Sequence, residues 1–230
     1  MNLPRIAVGL PDSMVFDTRH IRDKTERLGQ IARALAIFQI TDVIIYRSPF
    51  LSMEAAQREK RIIKNILGYL ECPQYLRKAL FPIQRDLEFV GLLPPLATPH
   101  HMVDNRLREG QYREALIFLN DINTVLANVG SKHPIPVNNP PHESLKDKKK
   151  RMVVKILKGS DKNPWEAEIV SREKVQNEFY WGFKIKFTDA LLVKFQERLK
   201  EFFIIATDRG GEPYYQFPEK LKSLKNEQKG

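Results

Sequence analysis

Two uniformly apolar runs flank a helical stripe near the start of the chain, and no other feature constrains its fold as tightly. Arg5-Ile6-Ala7-Val8-Gly9-Leu10 stops at Pro11-Asp12, and Asp42-Val43-Ile44-Ile45-Tyr46 ends at Ser48-Pro49. Neither run alternates polar with apolar residues, so each reads as a strand buried on both faces. Between them Leu28, Ile31, Ala32, Leu35, Ala36 and Phe38 recur at helical spacing, with Lys24, Glu26, Arg27, Gln30 and Arg33 mostly on the other face. Asp17 or Thr18 is expected to cap this helix. Strand, helix and strand, with both strands apolar throughout, predict parallel pairing under helices.

A second helical region follows, with Ile62, Ile63, Ile66, Leu67 and Leu70 as its core stripe. Cys72-Pro73 interrupts it, and Gln74 to Leu80 resumes as a short helix. Leu92 to Pro99 carries three prolines and reads as a rigid extended connection. From about His100 the texture changes. Glu114–Leu119, Thr124–Val129, Met152–Leu157 and Trp165–Val170 are short strand candidates separated by turn residues. Several such strands in about 80 residues suit a small barrel better than a parallel sheet. Pro134 to Arg151 is expected to be an exposed loop.

The opening pattern then returns. Phe179 to Phe187 is strand-like, Leu191, Leu192, Phe195 and Leu199 mark a helix capped by Thr188 or Asp189, and Phe202 to Ala206 reads as a buried strand. Lys220 to Gly230 is a polar, lysine-rich tail. The expected architecture is an α/β domain split over residues 1–99 and 178–230, with a β-barrel at 100–177 between its halves.

Composition sets the function classes. At 230 residues the chain can bury a substantial core, and 42% hydrophobic with 29% charged residues is a globular balance. No window approaches 18 uncharged apolar residues, and the start lacks the basic-then-apolar design of a signal peptide, so a cytoplasmic protein off the membrane is expected. The single cysteine excludes an intrachain disulfide. Cys72 beside Pro73 reads as a small core residue. A net charge of +10 favours a polyanionic partner, with nucleic acid the first candidate.

No phosphate-binding glycine loop, nucleophile motif or metal motif is present. His100 and His101, being adjacent, are expected to point apart and to hold no metal together. The junction Ile204-Ile205-Ala206-Thr207-Asp208-Arg209-Gly210-Gly211 is more informative, because ligands in open α/β sheets bind beyond strand ends and glycines let backbone amides approach closely. An ordinary turn is the competing reading. Arg33 suits a phosphate or a neighbouring carboxylate. Lys146, Lys148, Lys149, Lys150 and Arg151 suit either RNA phosphates or a solvated linker. Tyr180 and Trp181 suit base stacking or a core.

These residues also carry a resemblance. Asp17 to Thr25, Gly29 to Ala34 with Ala36-Ile37-Phe38, Tyr75 to Pro82, Gly91 to Leu96 with Pro99-His100-His101, Tyr180-Trp181-Gly182-Phe183 and Ile205 to Gly210 together resemble a family of RNA methyltransferases. That family belongs to the SPOUT (α/β-knot) superfamily and occurs in archaea and eukaryotes. The resemblance implies a SPOUT domain with an inserted OB-like barrel, S-adenosylmethionine as cofactor, an RNA substrate in which a ribosomal uridine is modified, and a homodimer. It places Thr207, Arg209, Gly210 and Gly211 at the cofactor loop. Asp208 stands where the family tends to have serine. Lys24 and Arg33 match basic positions of the first helix, with RNA-facing or dimer roles implied.

The family continues through a Phe-Gly-Gly-like turn and an Asn-x-x-Pro-like loop threaded into the knot. Here Tyr214 to Pro218 leads instead into the lysine-rich tail. The expectation is therefore an α/β domain incomplete at its C-terminus, lacking the knot and inactive by itself. A partner supplying the missing half, or a non-catalytic RNA-binding protein of the OB type, are the alternatives that stay open.

Overall fold

Strand β1 (Ala7–Pro11) and strand β2 (Asp42–Arg47) run parallel, with Ala7 opposite Asp42 and Pro11 opposite Tyr46, as their apolar runs predict. In this computed structural model the described residues are 5–104, 106–122, 124–140, 149–159, 164–192, 205–208, 210–211 and 213–216. The chain divides into two units, Met1–Thr188 and Asp189–Gly230.

In the first unit, helix α1 (Ile21–Ile37) makes the crossover between β1 and β2. Its cap is His20, whose Nδ1 accepts from the Arg22 amide at 3.3 Å; Asp17, expected to cap, instead pairs with Arg27. Leu28, Ala32 and Leu35 are buried, whereas Phe38 falls just past the last turn and is exposed. Helix α2 (Met53–Glu71) buries Ile62, Ile63, Ile66, Leu67 and Leu70 against them, together with Val43 and Ile45 of β2. Pro73 has no N–H to continue α2, and α3 (Gln74–Leu80) starts anew after it. The sheet order is β1-β2-β8, with β8 at Lys184–Leu191. β1 is thus an edge strand and only partly buried, a correction to its reading as a fully covered strand.

The intervening strands are β3 (Tyr112–Leu119), β4 (Val125–Asn128), β5 (Ile135–Pro136), β6 (Lys150–Ile156) and β7 (Ala167–Val170). They form one antiparallel sheet in the order β5-β4-β3-β6-β7. It curls into a half-barrel until its edges meet: Val137, just past β5, bridges Ala167 of β7, and the Asn138 amide donates to the Ala167 carbonyl at 2.9 Å. Ala115, Ile117, Ala127, Val154, Ile156 and Ala167 fill its interior.

Three further expectations are corrected. Lys150 and Arg151 belong to β6 and not to an exposed loop. The stretch from Phe179 to Phe183 is not a strand: α4 (Arg172–Glu178) precedes it, Gly182 adopts φ +75°, and β8 begins only at Lys184. Thr188 and Asp189, expected just before a helix, lie within β8, which continues to Leu191.

Of the second unit, Ile205 and Ala206 are irregular and exposed, unlike the buried strand expected there; of the helix expected from Leu191 to Leu199, Leu191 still belongs to β8, and residues 193–204 lie outside the described residues, as does 220–230. Tyr214–Gln216 forms a single 3-10 turn. Among the described residues no helix is long and apolar enough to cross a membrane.

Candidate functional site

At the carboxyl end of the parallel sheet, where open α/β folds leave a crevice, polar groups are concentrated. Asp12, the residue after β1, is fully buried. Its Oδ1 accepts from the Ser48 amide just beyond β2 at 2.9 Å, and its own amide donates to the Tyr46 carbonyl at 2.9 Å. Lys60 of α2 places Nζ 3.9 Å from Asp12 Oδ2 and 3.4 Å from the carbonyl of Thr188 on β8. Burial and the Asp12 charge push the Tyr46 hydroxyl above its ordinary pKa. One residue before Lys60, Glu59 is completely buried and bonded to Lys24 of α1, so a buried ion pair staples the two helices. Above them opens a cleft of about 610 Å³ lined by Phe16, Thr18, Arg19, Lys24 and Arg58 among others.

Lys24 and Arg33 therefore part company. Lys24 turns inward and spends its charge on Glu59, while Arg33 is exposed on the opposite side of α1. That outer side forms a second concavity, of about 430 Å³, against the proline-rich segment Leu92 to Leu96. Gly29 seats this segment: a Cβ on it would lie 2.8 Å from the Leu93 side chain.

A third cluster joins the end of α2 to the curled sheet. Glu71 accepts from Arg151 of β6 and Arg172 of α4, both at 2.7 Å, and Glu114 of β3 accepts from Arg151 at 2.8 Å and from the Trp181 indole at 2.9 Å. Burial pushes the Glu71 carboxyl up, but the two guanidiniums outweigh it and hold it well below the usual carboxylate range. The same carboxylates raise the Arg151 pKa against the opposing effect of burial. His100 and His101 do not diverge: both turn Nε2 to the Glu71 carbonyl, at 3.0 and 2.7 Å, with ring centroids 4.4 Å apart. Burial, helped by the charge of His100, lowers the His101 pKa to about 4. Gly182 closes the cluster, since a Cβ there would fall within 2.8 Å of Glu71 Oε1 and closer still to the His100 ring.

Arg151, expected among the RNA-facing charges, is therefore committed to two buried carboxylates. Lys149 and Lys150 are exposed, while Lys146 and Lys148 lie outside the described residues. Trp181 and Tyr180 are buried. Cys72 is buried and free, and burial pushes its thiol up to about 11.

In the second unit Thr207, Gly210 and Gly211 are exposed, and Arg209 lies outside the described residues. Asp208 has taken the amides a ligand would need: its Oδ1 accepts from Gly210 at 2.8 Å and its carbonyl from Gly211 at 3.1 Å. S-adenosylmethionine requires a concave site that buries most of its surface. Thr207, Gly210 and Gly211, the described part of this loop, are exposed and do not by themselves form such a site.

Asp12, Glu59, Glu71, Glu114 and Arg172 were not singled out from sequence. The signal available was an acid placed beside or within an apolar stretch, as with Asp12 after Ile6–Leu10 and Glu114 before Ala115–Leu119.

Fold and site together define a mixed α/β protein: a parallel sheet that gathers buried polar groups at its carboxyl end, and a curled antiparallel sheet attached to it. Residues 5–229 match the model of the family described as "Putative RNA methyltransferase", and the chain belongs to that family. It is 29% identical over 209 residues to the human 28S rRNA (uridine-N(3))-methyltransferase, covering 84% of this chain and 54% of that protein. The Drosophila melanogaster protein of the same name is 28% identical over 214 residues, 83% of this chain and 42% of its own. An uncharacterized protein of Halobacterium salinarum is 28% identical over 213 residues, 90% of this chain and 68% of its own. The chain spans about half the length of the curated methyltransferases it matches.

Proposed function

We propose that this protein is an S-adenosylmethionine-dependent methyltransferase acting on N3 of a uridine in ribosomal RNA. In this reading a SPOUT α/β domain at 1–99 and 178–230 carries an OB-like barrel at 100–177. The observation that carries the reading is the family match across nearly the whole chain, together with relatives named for methylation of that atom. Two features of the molecule support it. The antiparallel sheet curls until its edges meet, as a small nucleic-acid-binding barrel must. The net charge of +10 favours a partner made of phosphates.

The test is genetic and chemical. Deleting the gene for this chain and digesting ribosomal RNA to nucleosides should show loss of 3-methyluridine by mass spectrometry. A plasmid-borne copy should restore it. An unchanged 3-methyluridine content in the deletion strain overturns the reading.

A further inference from the structure

The outer stripe of α1 carries charges that no acid among the described residues pairs with. Arg22, Glu26, Gly29 and Arg33 follow one another at intervals of four, three and four residues, so they line one face over three turns. At the usual helical rise Arg22 and Arg33 stand roughly 16 Å apart along the axis. Both guanidiniums are exposed, and neither pairs with an acid among the described residues, in contrast to Arg27, which bonds Asp17 on the neighbouring face.

Against this stripe lies the proline-rich strap. The Leu93 side chain packs on the bare backbone of Gly29, and any larger residue there would push it aside. Pro94 and Pro95 have their own backbone φ fixed by the ring, so the strap has less freedom to lose on binding. The resulting trough, about 430 Å³, has the Phe89 ring and Leu92 on its apolar side; Leu92 is 70% exposed. A volume of this size falls within the range of roughly 300–1,000 Å³ that small-ligand sites occupy.

We propose that this trough is a subsite for a short segment of single-stranded RNA. The proposal rests on the reading of the protein as an RNA methyltransferase. Arg22 and Arg33 hold phosphates at the two ends, where a guanidinium meets phosphate oxygens in a two-pronged bond. The intervening base lies on the proline and phenylalanine surface, a sequence-tolerant contact. Glu26, between the arginines, carries no phosphate and accepts a base N–H. Charge complementarity selects this occupant: an apolar protein segment would leave both arginines without a partner, and a duplex does not offer a base face to the floor.

The experiment is fluorescence anisotropy with a labelled single-stranded RNA of about ten nucleotides over a salt series, using the full chain. Arg22→Ser and Arg33→Ser should each weaken binding several-fold, and each should reduce the slope of log affinity against log salt by about 0.7. Gly29→Val, which displaces the Leu93 side chain and fills part of the trough without changing charge, should weaken binding and leave the slope alone. The arginines are exposed, so matching thermal midpoints will show that the variants are folded. A wild-type protein that binds no RNA removes the methyltransferase reading and this subsite with it. A wild type that binds RNA, with a double arginine variant of unchanged affinity and slope, removes the subsite alone. A double variant that changes only the sedimentation of the free protein assigns the trough to a second copy of the chain and likewise overturns the proposal.

Discussion

Replacing Glu71 by glutamine should cost the fold about 3 kcal/mol, a large share of the margin a domain of this size has. Two carboxylates, Glu71 and Glu114, face two guanidiniums, Arg151 and Arg172, with both bonds to Glu71 at 2.7 Å. The cluster is close to neutral only while all four groups are charged. Glutamine keeps the shape and one acceptor oxygen, but it turns an amide N–H₂ toward a guanidinium and leaves one buried positive charge unmatched. Breaking such a pair costs about 3–5 kcal/mol. The arginine side chains keep 22% and 18% of their surface in contact with water, which sets the expectation at the low end of that range. With a urea slope of about 2 kcal/mol per molar, the unfolding midpoint should fall by about 1.5 M. Adding Arg172→Met to Glu71→Gln removes the unmatched charge, so the double variant should be more stable than the two single losses predict by at least about 1 kcal/mol. A Glu71→Gln midpoint within about 0.3 M of wild type, or an additive cycle, would refute the claim that this cluster is a closed set of charges.

Two neighbouring groups give further tests. His101 has its pKa depressed to about 4, so folding disfavours its protonation. Above the unfolded value near 6.5 both states are neutral and nothing is gained or lost; between pH 6.5 and 4 the unfolded chain takes up the proton first, and about 3 kcal/mol of stability should disappear. His101→Gln, which keeps a donor for the Glu71 carbonyl, should flatten that part of the urea-midpoint profile, and an unaltered profile would place the acid sensitivity elsewhere. Gly182→Ala should lower stability by more than about 3 kcal/mol, because a left-handed backbone and a Cβ driven against Glu71 and His100 act together. Gly110→Ala has the same left-handed φ with open space around the Cβ and should cost only about 1 kcal/mol, so thermal melts giving equal losses for both would disprove the steric part.

What could be read from the residues followed from how local each signal was. β1, α1 and β2 were legible because the hydrophobic period switches from an apolar run to a helical stripe and back within 40 residues. Helix α4 was not, because Arg172–Glu178 buries a single apolar residue, Val175, and one residue makes no stripe. The aromatic run before β8 looked like a strand for a related reason: Tyr180, Trp181 and Phe183 are all buried, but Gly182 at φ +75° breaks the extended path between them. The charges divide in the same way. Lys24 reads as part of the polar face of α1, yet it lies four and eleven residues from Leu28 and Leu35, a spacing that sets it on the buried side with them. No such local rule picks Arg151 out of a basic run, because its partners stand 80 and 37 residues away in the chain.

The chain leaves the parallel sheet for the antiparallel one near His100 and comes back near Trp181, and the rings of these two residues meet at a tilt of 36° with centroids 5.6 Å apart. Entry and exit therefore share one footing on Glu71, with the Arg172 guanidinium also holding the Trp181 carbonyl at 2.7 Å. A short loop could join the two points, and because closure entropy grows only slowly with loop length, the backbone of the parallel sheet is indifferent to how many residues intervene. That makes the curled sheet exchangeable in evolution or by grafting, with one chemical condition attached. Arg151, Arg172, His100 and Glu114 would all depart with it, whereas Glu71 stays behind on α2. Any shortened or regrafted descendant must therefore bring a new cation to that spot or replace the glutamate, and the residue at position 71 records which module the scaffold carries.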